Sequence, residues 1–281
     1  MGAPDLVVVG HVVRDLVPQG WRLGGTVTFA AVQAQRLGLG AGIVTRAAED
    51  LPLESELRGV AVAGRPSGQT TTFENVYDGV HRRQQVHARA EPIDAADVPE
   101  AWREAPIVLI GPVCGEVAPG MAGLFGNSLV GISAQGWLRQ IDVHKDVRRR
   151  AWTGEPFWSG ADAVFVSDED LGRRRDQLEP WTRDVALVAM TEDRRGASIH
   201  CGGRWRKIAA FPCEEVDPTG AGDVFAAAFL VRYHETTDVG EAARFGSAAA
   251  ACAVEALGAQ GIAGRERIEA RMREHPEIVL R

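Results

Sequence analysis

Short apolar runs recur along the chain and predict a sheet that is buried on both faces. The first run, Leu6 to Val9, ends at Gly10 and is typical of a parallel strand covered by helices. Similar runs predict further strands at 42–45, 107–110, 129–132, 163–166 and 185–190. The segments between and after them predict helices at 28–37, 118–125, 168–178, 221–233 and 239–257. This alternation predicts an α/β fold with a doubly wound, mostly parallel sheet and helices on both faces.

One segment, residues 69–88, departs from the alternation. Two β-prone runs flank Asp78-Gly79, which is a strong hairpin signal. Together with residues 12–23 this hairpin predicts a small sheet beside the main one. An extension of the main sheet or a contact between two copies of the chain is the alternative. Because we find no repeat, low-complexity tract or linker, we predict a single domain over residues 1–281.

The composition narrows the function classes. A chain of 281 residues with 45% hydrophobic and 25% charged residues is long enough for one large α/β domain. Its formal net charge of −7 argues against nucleic acid as the main partner. The four cysteines stand far apart and lack C-x-x-C spacing, so the sequence suggests neither a zinc site nor a disulfide framework. The lack of a disulfide framework fits a reducing cytoplasm. We expect neither export nor membrane insertion, because we find no basic leader and no apolar stretch near the ~20 residues of a membrane span.

Residues 216–223, Val-Asp-Pro-Thr-Gly-Ala-Gly-Asp, carry the most specific chemistry. Gly220 and Gly222 let the backbone approach an anion at the start of the predicted helix, where unpaired amides and the helix dipole favour negative charge. Asp223, in the first turn, is placed to accept the proton of an attacking hydroxyl. We expect its pKa to lie at or below the usual ~3.9. The alternative is a tight turn with a capping acid; the combination with Asp217-Pro218 favours an anion site for phosphoryl transfer.

The segment from Asp217 to Asp223 resembles the C-terminal signature of the ribokinase-like, or PfkB-type, carbohydrate kinases, and the resemblance extends over nearly the whole chain. It implies that Asp223 is the base that deprotonates a sugar hydroxyl. It also implies that the amides of Gly220, Ala221 and Gly222 form the anion hole for the γ-phosphate. The small sheet is then expected to be a β-lid that covers the sugar and excludes water.

Four residues are expected to contact the phosphate acceptor. Asp15 follows the first strand and faces the crevice beyond the carboxyl ends of the strands, where the resemblance implies a substrate ligand and a turn residue is the alternative. Gly24-Gly25 resembles the family's Gly-Gly signature, whose backbone approaches the substrate. Phe29 stands where ribokinases carry Asn, so simple ribose is disfavoured. The Gly-Gly-x-x-x-Phe pattern resembles plant myo-inositol kinases. Gln135 is predicted to face the same crevice.

The resemblance also implies a donor site with ATP and Mg²⁺. Ser167 and Asp170 stand where the family has Asn and Glu, the latter organising water around Mg²⁺; a helix-capping pair is the alternative. The shorter acid gives Asp170 less reach toward the metal. The resemblance leaves open whether a monovalent cation binds near Asp217 and Thr219.

Thr191 to Gly196 resembles the family's nucleotide loop, but Asp193 replaces its first Gly. A negative charge beside ATP phosphates is unfavourable unless Arg194 or Arg195 offsets it, so the choice of phosphate donor stays open. The resemblance implies that Ser247 takes the place of an Asn on the helix that walls the adenine pocket, although packing of a small-residue helix face against the sheet is the commoner explanation of this segment.

We therefore predict an ATP-dependent phosphotransferase that acts on a hydroxyl of a sugar, a cyclitol or a related polyol. The alternatives are a nucleoside kinase on the same fold and a non-catalytic sensor of sugar or nucleotide. A homodimer formed through the lid is a further arrangement that the sequence allows. The chain lacks the P-loop, zinc-protease and nucleophile-elbow motifs, which removes the usual NTPase, metalloprotease and hydrolase classes.

Overall fold

The computed structural model describes residues 2–78, 81–154 and 157–281. Within these ranges the β-strands are β1 Leu6–Val9, β2 Val13–Val17, β3 Gly20–Gly24, β4 Ala41–Val44, β5 Ala61–Ala63, β6 Thr71–Asp78, β7 His81–Ala88, β8 Ile107–Ile110, β9 Leu129–Ser133, β10 Arg139–Ile141, β11 Val147–Arg149, β12 Ala163–Ser167, β13 Leu187–Thr191, β14 Ala197–Cys201 and β15 Arg204–Ile208. The α-helices are α1 Thr26–Arg36, α2 Leu53–Glu56, α3 Asp168–Leu171, α4 Leu178–Asp184, α5 Ala221–Thr236, α6 Val239–Ala253 and α7 Arg265–Glu274. The 3₁₀ helices are Ala95–Asp97, Glu100–Glu104, Met121–Leu124, Ala134–Leu138, Arg175–Gln177, Asp193–Arg195 and Gly258–Gly261.

The main sheet confirms the predicted doubly wound α/β fold. Its nine strands lie in the order β15-β14-β13-β12-β9-β8-β1-β4-β5. The strands from β13 to β5 pair in parallel, and β14 and β15 add an antiparallel edge. The carboxyl ends of the parallel strands therefore meet at one edge, where open sheets of this type bind their ligands.

Each face of the main sheet is covered by its own apolar layer. On one face α1, α5 and α6 pack against the strands, and Phe225, Phe229 and Phe245 are fully buried there. The other face carries short helices and a cluster of tryptophans, in which the rings of Trp137 and Trp152 stack with centroids 4.9 Å apart. Both layers remove strand surface from water, which explains why these strands are continuous apolar runs in the sequence.

Helix α5 carries one continuous buried stretch beside the sheet. Its residues from Val224 to Val231 are buried, because small alanines let the helix approach the strands closely. Among the helices in the described parts of the chain, none combines the length and apolarity needed to cross a bilayer.

A second sheet lies beside the main one, as the hairpin signal predicts. Its four strands follow the order β3-β2-β6-β7, and β6 pairs with β7 in antiparallel register. Gly79 of the predicted turn lies outside the described residues. On the inner face of this sheet Val13, Phe73 and Val86 pack against Val113 and Cys114, which follow β8. We call this sheet the lid sheet; the contact fixes its base to the main domain.

Two predicted helices were wrong. The segment 118–125 forms only the 3₁₀ turn Met121–Leu124, because Pro119 precedes it and Gly120 adopts a left-handed conformation with φ 79°. The predicted helix at 168–178 stops after Leu171 and restarts at Leu178, since Gly172 has φ 57°. The periodicity of apolar residues missed both breaks because it does not weigh glycine conformation.

Candidate active site

The turn before α5 is shaped by glycine. Gly220 has φ 79°, and a Cβ atom built on it would lie 2.3 Å from ring carbons of Phe29. A Cβ on Gly222 would meet nothing within 4 Å, so that side of the turn is open. Helical geometry leaves the amides of Gly222 and Asp223 without acceptors inside α5, whereas the Ala221 amide donates to the Pro218 carbonyl at 3.2 Å. The turn therefore packs against α1 on one side and offers an anion-binding helix start on the other.

The position of Phe29 changes one sequence-based argument. Phe29 was expected to influence the choice of acceptor, since it stands where ribokinases carry Asn. Its side chain is 3% exposed and supports the Gly220 turn from beneath. Its contact with this turn gives it a structural role in holding the anion-binding backbone.

Asp223 lies in the first turn of α5 in a partly buried setting. Burial raises the pKa of its carboxyl to about 6, although the nearby Thr26 hydroxyl and the Arg139 guanidinium lower it and Asp170 raises it. The expectation of a pKa at or below the ordinary value was wrong, because loss of hydration outweighs the helix dipole. At neutral pH the carboxylate is mostly ionised and is a stronger base than a free aspartate.

Arg139 is a site residue that the sequence analysis missed. Its Nη2 donates to Gln135 Oε1 at 2.7 Å and lies 3.3 Å from Asp170 Oδ1. It also acts on the charge of Asp223. The guanidinium thus joins Gln135, Asp170 and Asp223 around one centre. The only sequence signal was an arginine four residues after Gln135, beyond a strand end.

The predicted acceptor residues meet at the start of α1. Asp15 lies in β2 between Arg22 of β3 and Phe73 of β6. Its carboxylate touches Gly24 so closely that a Cβ atom there would overlap it. Gly25 has φ 87° and precedes Thr26, which faces Asp223. Asp15, Gly24, Gly25 and Asp223 are therefore brought to one region by the packing of α1.

On the donor side, Ser167 and Asp170 form a capping pair. The Ser167 hydroxyl accepts from the Asp170 amide at 3.0 Å and donates to the Asp170 carboxylate at 2.6 Å. Ser167 at the end of β12 pairs with Thr191 at the end of β13. The capping alternative is thus present, and it places Asp170 beside Arg139 at the same edge as Thr191.

The loop after β13 carries an unusual backbone. Asp193 has φ 54°, in the left-handed region where the family has a glycine, and Gly196 has φ 99°. Arg194 pairs with Glu215 at 3.2 Å, and Arg195 pairs with Asp168 at 2.7 Å. In the described residues neither arginine pairs with Asp193. The charge compensation that the sequence analysis required for ATP therefore does not form.

Asp217 fixes the backbone that leads into the Gly220 turn. Its two carboxylate oxygens accept from the amides of Thr219 and Gly258, each at 3.0 Å. Burial alone would raise the pKa of this carboxyl, but the Thr219 and Gly258 contacts together lower it. Ser247 is 7% exposed on α6, on the face that packs inward.

A second polar cluster, formed by His11, Cys114 and Glu116, lies beneath the lid sheet and was also missed. Their potential ligand atoms lie within 4.8 Å of one another. The Glu116 carboxylate accepts from the amides of His11, Val113 and Cys114. The ring nitrogens of His11 contact the Glu91 carbonyl at 2.9 Å and the Thr71 hydroxyl at 2.8 Å. Because the oxygens and ring nitrogens are already bonded, the cluster stabilises the lid base and offers little to a metal.

The model of the pfkB family carbohydrate kinases matches residues 155–263, which include the donor-side loop and the Gly220 turn. This match supports a PfkB-type carbohydrate kinase. The chain is accordingly a kinase, with an alcohol group as the acceptor of the phosphoryl group.

Curated relatives and solved structures match this chain over most of its length. A cytidine kinase of Thermococcus kodakarensis is 26% identical over 86% of this chain and 93% of its own length. An inositol 3-kinase of Oryza sativa is 28% identical over 90% of this chain and 68% of its own length. Among solved structures, a pyrophosphate-dependent kinase of the ribokinase family superposes with a TM-score of 0.80 at 23% identity, over 94% of this chain and 99% of that one. A putative ribokinase II of E. coli with ATP and Mg²⁺ superposes with a TM-score of 0.71 at 17% identity, over 98% and 100%. At these identities the structures support the fold.

Proposed function

We propose that this PfkB-type kinase transfers the γ-phosphoryl group of ATP to a hydroxyl of a sugar, a cyclitol or a related polyol. The acceptor oxygen forms a bond to the γ-phosphorus while the bond from that phosphorus to the β–γ bridging oxygen breaks. The hydroxyl proton passes to Asp223, and ADP leaves with the bridging oxygen. The observation that carries this proposal is the position of a partly buried carboxylate, whose pKa is raised to about 6, in the first helical turn after an open glycine turn.

Each group near Asp223 has a definite task in the proposal. The amides of Gly220, Ala221 and Gly222 bind the oxygens of the transferred phosphoryl group at the helix start. Arg139, held by Gln135, offsets negative charge that accumulates during transfer. Closure of the lid sheet over the acceptor excludes water that would otherwise compete for the phosphoryl group.

On the acceptor side, Asp15 and Gly25 hold the polyol and the lid sheet closes over it. A carboxylate accepts hydrogen bonds from two hydroxyls at once, which suits Asp15 to vicinal diols. The name of the rice relative, inositol 3-kinase, supports a cyclitol. The name of the Thermococcus relative, cytidine kinase, supports a nucleoside as the second acceptor class. A pairing of two copies through the lid sheet remains a prediction that sedimentation velocity would check.

The donor site is proposed to consist of Ser167, Thr191, Gly196 and Ser247. Mg²⁺ is bound chiefly by phosphate oxygens and water, so the single carboxylate of Asp170 fits a supporting role. When bound, the ion would neutralise charge on the donor phosphates. Both carboxylate oxygens of Asp217 accept hydrogen bonds from backbone amides. Because these oxygens are already bonded, we leave a monovalent cation out of the proposal.

A second donor, inorganic pyrophosphate, is favoured by one observation. Asp193 holds a negative charge in the loop that would approach a nucleotide, and its neighbouring arginines pair with Glu215 and Asp168 instead. A shorter donor bound only at the Gly220 turn would not meet this charge. A structural neighbour described as a pyrophosphate-dependent kinase fits the same idea.

The test is a matrix of donors and acceptors. ATP, GTP and pyrophosphate with Mg²⁺ are each incubated with polyols, sugars and nucleosides, and phosphorylated products are identified by mass. The proposal expects a polyol product with ATP. If product forms only with pyrophosphate, pyrophosphate replaces ATP as the assigned donor. If only nucleosides are phosphorylated, nucleosides replace polyols as the assigned acceptor class. Thermal stabilisation by ATP without any product would support the sensor alternative and contradict the proposal.

A further inference from the structure

A cavity of about 230 Å³ lies at the carboxyl edge of the main sheet and is lined by three arginines. Arg89 follows lid strand β7, Arg139 begins β10 and Arg150 follows β11. Cys114 and Ile141, which also line it, belong to the apolar contact between the lid sheet and the main domain. The cavity is therefore roofed by the element that is expected to close over the acceptor.

Neighbouring groups hold two of these arginines in place. Arg150 Nε donates to the Trp137 carbonyl at 2.7 Å, and Arg139 Nη2 donates to Gln135 Oε1 at 2.7 Å. Anchoring at one nitrogen leaves further guanidinium donors for a ligand. A planar, fixed guanidinium is well suited to bind phosphate or carboxylate through two parallel hydrogen bonds.

The cavity lacks matching negative charge in the part of the chain that the structure describes. The only ion pair that its arginines make there is Arg139 with Asp170, at 3.3 Å. The Cys114 thiol is neutral, because burial raises its pKa. The nearby Glu116 carboxylate is occupied by backbone amides. Arg89 and Arg150 therefore bring positive charge to the cavity that no carboxylate of the described residues pairs with, which favours the entry of an anion.

Arg139 connects the cavity to the transfer centre, because it also acts on Asp223. An anionic group in the cavity and a hydroxyl at Asp223 can therefore belong to one molecule. We propose that the acceptor carries, besides the hydroxyl that is phosphorylated, a phosphate or carboxylate group that Arg89, Arg139 and Arg150 bind. The acceptor class is then a phosphorylated or oxidised sugar or cyclitol. This inference rests on the proposed kinase function.

The first experiment compares matched acceptors on the full-length enzyme. The pairs are myo-inositol with an inositol monophosphate, ribose with ribose 5-phosphate, fructose with fructose 6-phosphate, and glucose with gluconate. We expect kcat/KM to be about 100-fold higher for the anionic member of at least one pair, as two charge-assisted hydrogen bonds would provide. Equal or better use of the neutral member of every pair would overturn the inference while leaving the kinase function intact.

Variants of the cavity arginines test whether this cavity distinguishes anionic from neutral acceptors. Arg89→Gln and Arg150→Gln should each raise KM for the anionic acceptor about 10-fold or more and reduce the ratio of anionic to neutral kcat/KM. Arg149→Gln is the matched control, since Arg149 lies next in sequence and pairs with Glu169 at the surface. A ratio that falls equally in the control variant, or stays unchanged in Arg150→Gln, would contradict the cavity as the site.

Acceptor binding without a donor separates this inference from the proposed function. Thermal stabilisation is measured with each acceptor pair and with inorganic phosphate alone. Stabilisation by the anionic acceptor, weaker in Arg150→Gln, would support the inference even if no product forms with ATP or pyrophosphate, in which case only the kinase function fails. Stabilisation by inorganic phosphate with no discrimination between paired acceptors would assign the cavity to a free anion and overturn the inference.

Discussion

Asp223 and Asp97 are both largely buried carboxylates, but their surroundings act on them in opposite directions. Asp97 is 3% exposed and is bonded by Arg65 and Arg46. These arginines hold its pKa well below the usual range, although burial opposes them. Asp223 has only the partial support of Thr26 and Arg139, so burial raises its pKa to about 6. The first carboxylate stabilises the fold, whereas the second is a base that titrates near neutral pH.

The raised pKa of Asp223 predicts how activity depends on pH. Because the base must be ionised, kcat/KM should be constant above pH 7 and fall tenfold per pH unit well below the pKa of about 6. The measurement is kcat/KM from pH 5 to 8 at constant ionic strength. A profile that stays flat down to pH 5 would contradict the environment that we assign to this carboxyl.

The lowered pKa of Asp97 predicts the opposite behaviour for stability. Its ionised form stabilises the folded state above the unfolded-state value of 3.8, and this contribution is lost as the pH falls below that value. Asp97→Asn should lower the free energy of unfolding at pH 7 by about 3 kcal/mol, because it removes the buried carboxylate that Arg46 and Arg65 share and leaves them only the half-exposed Asp94. Urea unfolding measures the loss, with the exposed Asp184→Asn as the control. Equal stability of the two variants would contradict this account.

At the scale of elements, the two glycines at the start of α5, Gly220 and Gly222, are expected to have different roles. Gly220→Ala should lower the free energy of unfolding by about 2–4 kcal/mol, because the left-handed backbone is strained and the new methyl overlaps Phe29. Gly222→Ala should leave stability intact, since its Cβ meets nothing. We expect it to reduce kcat/KM at least about 10-fold by obstructing the phosphate. Chemical unfolding and steady-state kinetics of both variants check the contrast, which equal losses of stability would contradict.

The loop after β13 gives a test of the donor. Asp193→Asn removes the charge and keeps the side-chain size, and Asp193→Gly also relieves the left-handed strain at φ 54°. If ATP is the donor, both should lower its KM about 3- to 10-fold. KM for pyrophosphate should not change. An unchanged KM for ATP in both variants would show that the loop does not contact the donor phosphates.

The strands were more predictable from the sequence than the helices. Runs such as Leu6 to Val9 form strands as expected, because a strand covered on both faces needs an apolar residue at each position. The helices at 118–125 and 168–178 failed, because Gly120 and Gly172 adopt left-handed conformations that periodicity does not reveal. The strands β14 and β15 were also missed, because Ser198 and His200 interrupt the apolar run of β14 and most positions of β15 are exposed and polar.

At the scale of the whole molecule, the site is assembled from distant parts of the sequence. Asp223 could be predicted because its glycine turn is local, and Asp15 because a strand end places it at the crevice. Arg139 could not, since its role depends on the packing of β9 and β12 beside α5. The raised pKa of Asp223 could not be predicted either, because burial is a property of the folded chain. The arginine cavity could not be predicted for the same reason, because it combines the end of lid strand β7, the segment after β8 and the strand pair β10–β11.

The proposed phosphoryl transfer depends on Asp223 acting as the base at the anion-binding turn, and Asp223→Asn tests this most directly. Removing a carboxylate whose folded pKa of about 6 exceeds the unfolded value of 3.8 removes a charge that the fold disfavours at pH 7. The variant should therefore be at least as stable as the wild type, by up to about 2–3 kcal/mol.

The decisive measurement is kcat of Asp223→Asn at pH 7.5, with acceptor affinity and melting temperature determined on the same sample. We predict a loss of kcat of about 10³-fold, with acceptor affinity within about 3-fold and an unchanged or higher melting temperature. A folded variant that retains kcat within a few-fold of the wild type would contradict the account.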